Sequence, residues 1–267
     1  MEQSYLEIRN VTKSFGNYTA VAGVNLSIRH GEFVSLIGHS GCGKSTLLSL
    51  IAGLTRATDG TVELDGKLIS GPGRDRGMVF QHHGLLPWLS VFANVYEAVD
   101  AVFPGRRPPE KKEKRERVER MLRVVGLWDH REKKPGELSG GMRQRTAVAR
   151  AFAIAPKVLL LDEPFGALDA LTKGALQDEL LNLWAFDQAT ETVVMVTHDI
   201  DEAMYLSDRI VVMTNGPRAT IRDIVEVPLP RPRDRRAMLH HPAYANTKEH
   251  LLDLLAERAV VGVAAVA

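Results

Sequence analysis

Two periods of apolar and polar residues run along this chain, and where they change, one element ends and another starts. Tyr5 to Ile8 and Asn25 to Ile28 alternate like half-buried strands, with a polar turn around Gly16-Asn17 between them. Phe33 to Ile37, apolar and β-branched, predicts a buried strand, and Leu47, Leu48, Leu50 and Ile51 then follow the spacing of a helix facing a core. Thr61 to Ile69 reads as a hairpin around a primed Asp65-Gly66 turn, and Arg74 to Phe80 leads into a strand that ends at Gln81. Within a charged stretch opened by Pro108-Pro109, Val118, Met121, Leu122 and Val125 mark one face of an amphipathic helix. Ala147, Val148, Ala151 and Phe152 repeat that period behind Ser139, the expected N-cap. Val158 to Leu161 predicts a strand, Leu171 to Gln188 a helix, Thr192 to Val196 a strand, Ile200 to Leu206 a helix and Ile210 to Met213 a strand. Strands alternating with helices predict a mostly parallel α/β sheet.

The chemistry concentrates where the strand at Phe33–Ile37 breaks. Gly38-His39-Ser40-Gly41-Cys42-Gly43 leads directly into Lys44-Ser45-Thr46, which is G-x-x-x-x-G-K-[ST] between a strand and a helix. Glycines let successive N–H groups turn inward around phosphate oxygens, and the helix start adds partial positive charge. Lys44 has the reach for β- and γ-phosphates, and the Ser45 hydroxyl suits Mg²⁺. A second signal is Asp162-Glu163 at the end of four apolar residues. Two carboxylates there are costly without a partner, and a Mg²⁺–nucleotide supplies one.

Composition narrows the class. Thirty-four basic against 33 acidic residues in 267 give a net charge of +1, with no global pull toward nucleic acid. The charge run at 110–120 interleaves Glu110, Glu113, Glu116 and Glu119 with basic residues and reads as a solvated helix face. The single cysteine, Cys42, excludes an internal disulfide framework and reads as a small loop filler. No apolar run approaches the ~20 residues of a membrane helix, the longest candidate being Ala259–Ala267. The N-terminus lacks the basic-then-apolar pattern of a signal peptide, so the chain is expected to be cytosolic unless carried to a membrane. His82-His83 and His240-His241 have no partners at metal spacing and read as non-ligands.

Taken together, the segments resemble the nucleotide-binding subunit of ATP-binding-cassette (ABC) transporters over residues 5 to 240. Gly38–Thr46 matches the Walker A loop, Gln81 the Q-loop glutamine and Leu138–Met142 (LSGGM) the signature. Val158–Glu163 matches Walker B, Gly166–Asp169 the D-loop and His198 the switch histidine. Phe15 stands where the family places an aromatic on adenine, although its position also allows plain hairpin packing. The resemblance implies a P-loop NTPase cassette: a RecA-like core, an antiparallel β subdomain and a helical subdomain inserted at about residues 82–155. Residues 1–240 form the ATPase domain on this reading, and 241–267 a C-terminal helical tail.

It also implies ATP and Mg²⁺ as cofactors and a dimer in which each ATP lies between one Walker A and the opposite signature. Ser139, Gly140 and Gly141 then contact the partner's γ-phosphate, and Asp162 holds Mg²⁺ with Ser45 and Gln81. Glu163 polarises the attacking water, and His198 senses the γ-phosphate. Two positions depart from the commonest pattern, Met142 in place of glutamine and Gly166 in place of serine, and both occur in the importer branch. FQHHGLLPWLSVFANV around Gln81 resembles importers of nitrate, bicarbonate, sulfonates and taurine, where Leu85, Leu86, Pro87 and Trp88 line the groove for a membrane subunit. Packing within the subdomain is the other reading of those side chains. The segment MTNGPRATIRDIVEVPLPRPRDR most resembles the nitrate/nitrite and bicarbonate importers, with nitrate ahead. The implied partners are a second ATPase subunit (a longer sibling or a second copy), transmembrane permease subunits and, indirectly, a periplasmic solute-binding protein, with no nucleic acid. The implied location is the cytoplasmic face of the inner membrane. A soluble cassette acting on nucleic acid is the competing class.

Overall fold

In a computed structural model the described residues are 4–166, 168–186 and 189–256. In chain order the elements are β1 (Ser4–Phe15), β2 (Tyr18–Arg29), β3 (Phe33–Ile37), α1 (Lys44–Ile51), β4 (Asp59–Leu64), β5 (Lys67–Leu68) and β6 (Arg76–Val79). There follow α2 (Val91–Val102), α3 (Pro108–Val124), α4 (Gly140–Ala153), β7 (Val158–Asp162), α5 (Ala170–Phe186), β8 (Thr192–Val196) and α6 (Ile200–Leu206). The last are β9 (Arg209–Met213), β10 (Ile221–Glu226), α7 (Arg235–His240) and α8 (Pro242–Ala256). They form two compact units, Met1–Pro72 with Val194–Ala267, and Gly73–Val193. β8 begins in the second and ends in the first.

The first unit carries an antiparallel sheet in the order β2-β1-β4-β5. β1 and β2 run further than their alternation predicted, meeting at the Phe15↔Tyr18 pair around Gly16-Asn17. Register shifts along the pair interrupt the two-residue period, which is why only its ends were legible. Asp65 and Gly66 both have positive φ, 51° and 69°, as a primed hairpin turn requires. Beside this sheet β3 pairs in parallel with β9, and β10 adds an antiparallel edge. All five residues of β3 are buried, as in a strand covered on both faces. α1 buries Leu47, Leu48, Leu50 and Ile51. It stops at Gly53, whose φ is 74° and where a Cβ would come within 2.1 Å of the Gly71 carbonyl. Buried Glu32 accepts from Arg209 Nη1 at 3.1 Å and from Arg29 Nη2 at 2.9 Å, fixing the entry to β3.

The second unit packs α2, α3 and α4 together and pairs β6 with β7 in parallel. α3 follows its amphipathic pattern: Val118 and Leu122 are fully buried, and the Glu119–Arg123 ion pair lies outside at 2.7 Å. Lys114 departs from the solvated-face expectation. It is buried, and its ammonium donates to Asp100 Oδ1 and to the Gly105 carbonyl, both at 2.7 Å. α2 was not separated from its surroundings by periodicity, since Val91 to Val102 is apolar on more than one face. β10 was also missed, because Arg222 and Asp223 interrupt its alternation. Gln188, the expected end of α5, and the apolar run 259–267 lie outside the described residues. No helix of the described residues is long and apolar enough to cross a membrane.

Candidate functional site

In the first unit the phosphate loop, Gly38 to Gly43, joins buried β3 to buried α1, so both its ends are anchored in the core. Gly43 opens α1 at φ 87°, and a Cβ there would meet Val21 Cγ1 at 2.5 Å. Only glycine permits β2 to lie that close to the loop. Cys42 is buried, and its N–H closes a turn on the His39 carbonyl at 3.2 Å. The Lys44 ammonium curls over the loop, donating to Gly38 O at 2.7 Å and His39 O at 2.9 Å, with Cys42 Sγ at 3.7 Å. A cation held by loop carbonyls is positioned for an anion entering the same cradle. Ser40, Gly41 and Ser45 are exposed, and Thr46 is half-buried.

The rim is built from the same unit. Phe15 is 52% exposed and carries the Lys13 ammonium 4.8 Å from its ring centre. An exposed ring contributes little to hairpin packing. The β9–β10 loop also approaches the phosphate loop, so that a Cβ on Gly216 would lie 2.9 Å from the Gly41 carbonyl. Sequence reading missed this approach; its one signal was the turn tripeptide Asn215-Gly216-Pro217. His198 is exposed at the bend between β8 and α6. Its neighbours fix that bend: Thr197 N–H donates to Leu36 O at 3.2 Å, and Asp199 N-caps α6 by accepting from Glu202 N–H at 3.1 Å.

In the second unit β7 delivers Asp162 and Glu163 after Leu159, Leu160 and Leu161, all fully buried. Glu163 adopts φ 45° and accepts from Gln81 Nε2 at 3.1 Å. α4 starts as expected: Ser139 Oγ accepts from Met142 N–H at 3.2 Å, and Gly140 and Gly141 form its first turn. Asp169 N-caps α5 through Thr172 N–H at 3.0 Å, and that bond holds its carboxyl below the usual carboxylate range. Ala167 of the same motif lies outside the described residues. Trp88 is 66% exposed and Leu86 sits at the surface, so subdomain packing does not account for these two. Buried Asn94 shapes their loop, accepting from Leu86 N–H at 2.7 Å and donating to the Leu86, Leu89 and Ser90 carbonyls.

A strand, a phosphate loop with its lysine and a buried helix define a nucleoside-triphosphate-binding protein of the P-loop kind. The sequence profile of the ABC transporter family matches residues 21–166. The bicarbonate transport ATP-binding protein CmpD of Synechocystis is 51% identical over 259 residues, 96% of this chain and 90% of that protein. The nitrate import ATP-binding protein NrtD of Synechococcus elongatus is 51% identical over 258 residues, 95% of this chain and 92% of that protein. A dimeric ATP-binding cassette, MJ0796, in a post-hydrolysis state bound to ADP and phosphate, matches with a TM-score of 0.73 at 34% identity, over 83% of this chain and 98% of that one. The chain belongs to the ABC transporter family.

Proposed function

We propose that this chain is the ATP-hydrolysing subunit of an importer for a small oxyanion, with nitrate as the anion. The observation that carries the ATPase reading is the phosphate loop, with Lys44 poised over the Gly38 and His39 carbonyls. The donor set suits the cofactors: Ser45 and Asp162 offer the hard oxygen ligands Mg²⁺ takes. Bound Mg²⁺ neutralises charge developing on the transferred phosphoryl group. Glu163 orients the attacking water, with Gln81 beside it, and His198 contacts the γ-phosphate. Ser139, Gly140 and Gly141 serve the nucleotide of a second cassette. These roles rest on motif correspondence.

For the anion, a nitrate importer subunit and a bicarbonate transporter subunit are equally identical to this chain. Bicarbonate is therefore the second reading. The exposed Leu86 and Trp88 fit a membrane subunit docking on the Leu85–Trp88 loop, at the inner face of the membrane.

The test is ATP hydrolysis and anion uptake in vesicles holding the chain with its permease and solute-binding partners. Nitrate stimulates hydrolysis and is taken up, and Lys44→Ala abolishes both. Stimulation by bicarbonate alone selects the second reading, and stimulation by neither overturns both the nitrate and the bicarbonate assignments.

A further inference from the structure

The loop that follows Gln81 is held by side chains of the helix that carries the signature residues. Arg150, in the last turn of α4, donates from Nη1 to the Gly84 carbonyl at 2.6 Å and from Nη2 to the His83 carbonyl at 2.9 Å. A guanidinium fork on two consecutive carbonyls fixes the direction of that peptide as well as its place. Burial pulls the Arg150 pKa below its ordinary value, so part of the cation's hydration has been exchanged for these carbonyl dipoles.

A second grip lies nearer the start of α4. Gln144 is buried, and its Oε1 is 2.7 Å from His83 Nδ1. Its Nε2 is buried with no hydrogen-bond partner among the described residues, so the amide is held for the His83 contact at the expense of its other end. The loop needs holding. His83 and Gly84 both adopt positive φ, 64° and 58°, and a non-glycine residue persists there only where its surroundings over-determine it. His83 lies two residues beyond Gln81, whose amide is bonded to Glu163.

We propose that Arg150 and Gln144 are positioning residues for Gln81, so that a displacement of α4 is transmitted to the Gln81–Glu163 pair. From Gly141 the helix carries its first grip ~4.5 Å along its axis and its second ~13.5 Å along, at 1.5 Å per residue. Both grips therefore move with Gly140 and Gly141 as one rigid element. The signature end of α4 and the glutamine loop become a single mechanical part, and engagement of one biases the other. This inference rests on the ATPase reading and adds to it how the water-orienting pair is set.

Two measurements on the full-length chain test it. Hydrogen exchange reads the strap without nucleotide chemistry: Arg150→Ala speeds exchange at the His83 and Gly84 amides by about tenfold or more, with β7 unchanged. Steady-state hydrolysis reads the coupling: Arg150→Ala lowers kcat by about tenfold with the ATP KM unchanged, and Arg150→Lys restores part of it. In a Gln81→Ala background Arg150→Ala removes little further activity, because the group it positions is gone. Gln144→Met, which keeps volume and deletes the His83 contact, moves both readouts the same way and serves if Arg150→Ala does not fold. Unchanged loop exchange, or fully additive losses with Gln81→Ala, overturns the proposal. If Arg150→Ala shows the exchange effect but the wild-type chain binds ATP and hydrolyses nothing, the ATPase reading is overturned instead.

Discussion

Gln81 donates from Nε2 to Glu163 Oε2 at 3.1 Å although 82 residues separate them. The parallel register of β6 and β7 makes the pair. Val79 stands opposite Leu161, so two further steps along each strand direction bring Gln81 alongside Glu163. The bond places an amide donor on the carboxylate that the motif assigns to water orientation. Glu163→Gln keeps the size and removes the negative charge. Its hydrolysis rate falls by about 10²- to 10⁴-fold, the usual contribution of a positioned general base. Nucleotide affinity stays within a few-fold, as phosphate-release and calorimetric titrations will show. Turnover at the wild-type rate would remove Glu163 from the mechanism.

Lys44→Ala deletes the cation bonded to the Gly38 and His39 carbonyls. Charge-assisted hydrogen bonds contribute about 1.5–3 kcal/mol each, so ATP binds roughly 10- to 100-fold more weakly and hydrolysis is lost. Equilibrium binding with a fluorescent nucleotide measures this. Unchanged affinity would place the phosphates elsewhere.

Gly216→Ala tests the wall behind the loop. The new Cβ would lie 2.9 Å from the Gly41 carbonyl, and neither backbone yields without displacing the phosphate cradle. Overpacking of this kind costs about 1–3 kcal/mol. We expect ATP affinity to fall about tenfold while the second unit keeps its exchange protection. Full affinity would show that the β9–β10 loop moves instead.

The glutamine loop has its own pH dependence. Burial is the main cause that lowers the His83 pKa; the positive charge of Arg143 and neighbouring His82 lower it further, and the Gln144 bond opposes them. The folded state therefore disfavours protonated His83, and the unfolded chain takes up the proton first as pH falls. This contribution is fully present above the unfolded value of about 6.5 and is lost as pH falls through the lower folded value. Thermal melts between pH 7.5 and 5 should decline less for His83→Asn than for wild type. Parallel declines would argue against His83 as a contributor.

The C-terminal helix is tied down beside α6. Tyr244 donates to Asp201 Oδ1 at 2.6 Å, and the Lys248 ammonium reaches Oδ2 at 2.9 Å. Tyr244→Phe removes one bond to a charged acceptor and lowers stability by about 1.5–3 kcal/mol. Denaturant titration measures it, with exchange across α8 rising first. A change confined to other elements would contradict this docking.

The motif chemistry was legible in the sequence because its signals are local. Gly38 to Thr46 needs only a strand before it and a helix after it, and β3 and α1 supply both. Ser139 marks the start of α4 because an N-cap is set by its own side chain and the N–H of Met142, three residues on. The Asp65-Gly66 turn is equally local, since positive φ is a property of single residues.

Other features belong to the tertiary structure. β1 and β2 pair through bulges that break the two-residue period, so their full length was hidden. Lys114 looks solvated in a charge run, and only the approach of Asp100 and Gly105 permits its burial. The Gln81–Glu163 bond, the Gly216 wall and the Arg150 grip join residues far apart in the chain. No periodicity encodes such meetings, because they depend on strand register and helix placement. The sequence by itself determined the phosphate chemistry and the family. Which distant side chains share a hydrogen bond was decided only when packing brought their elements together.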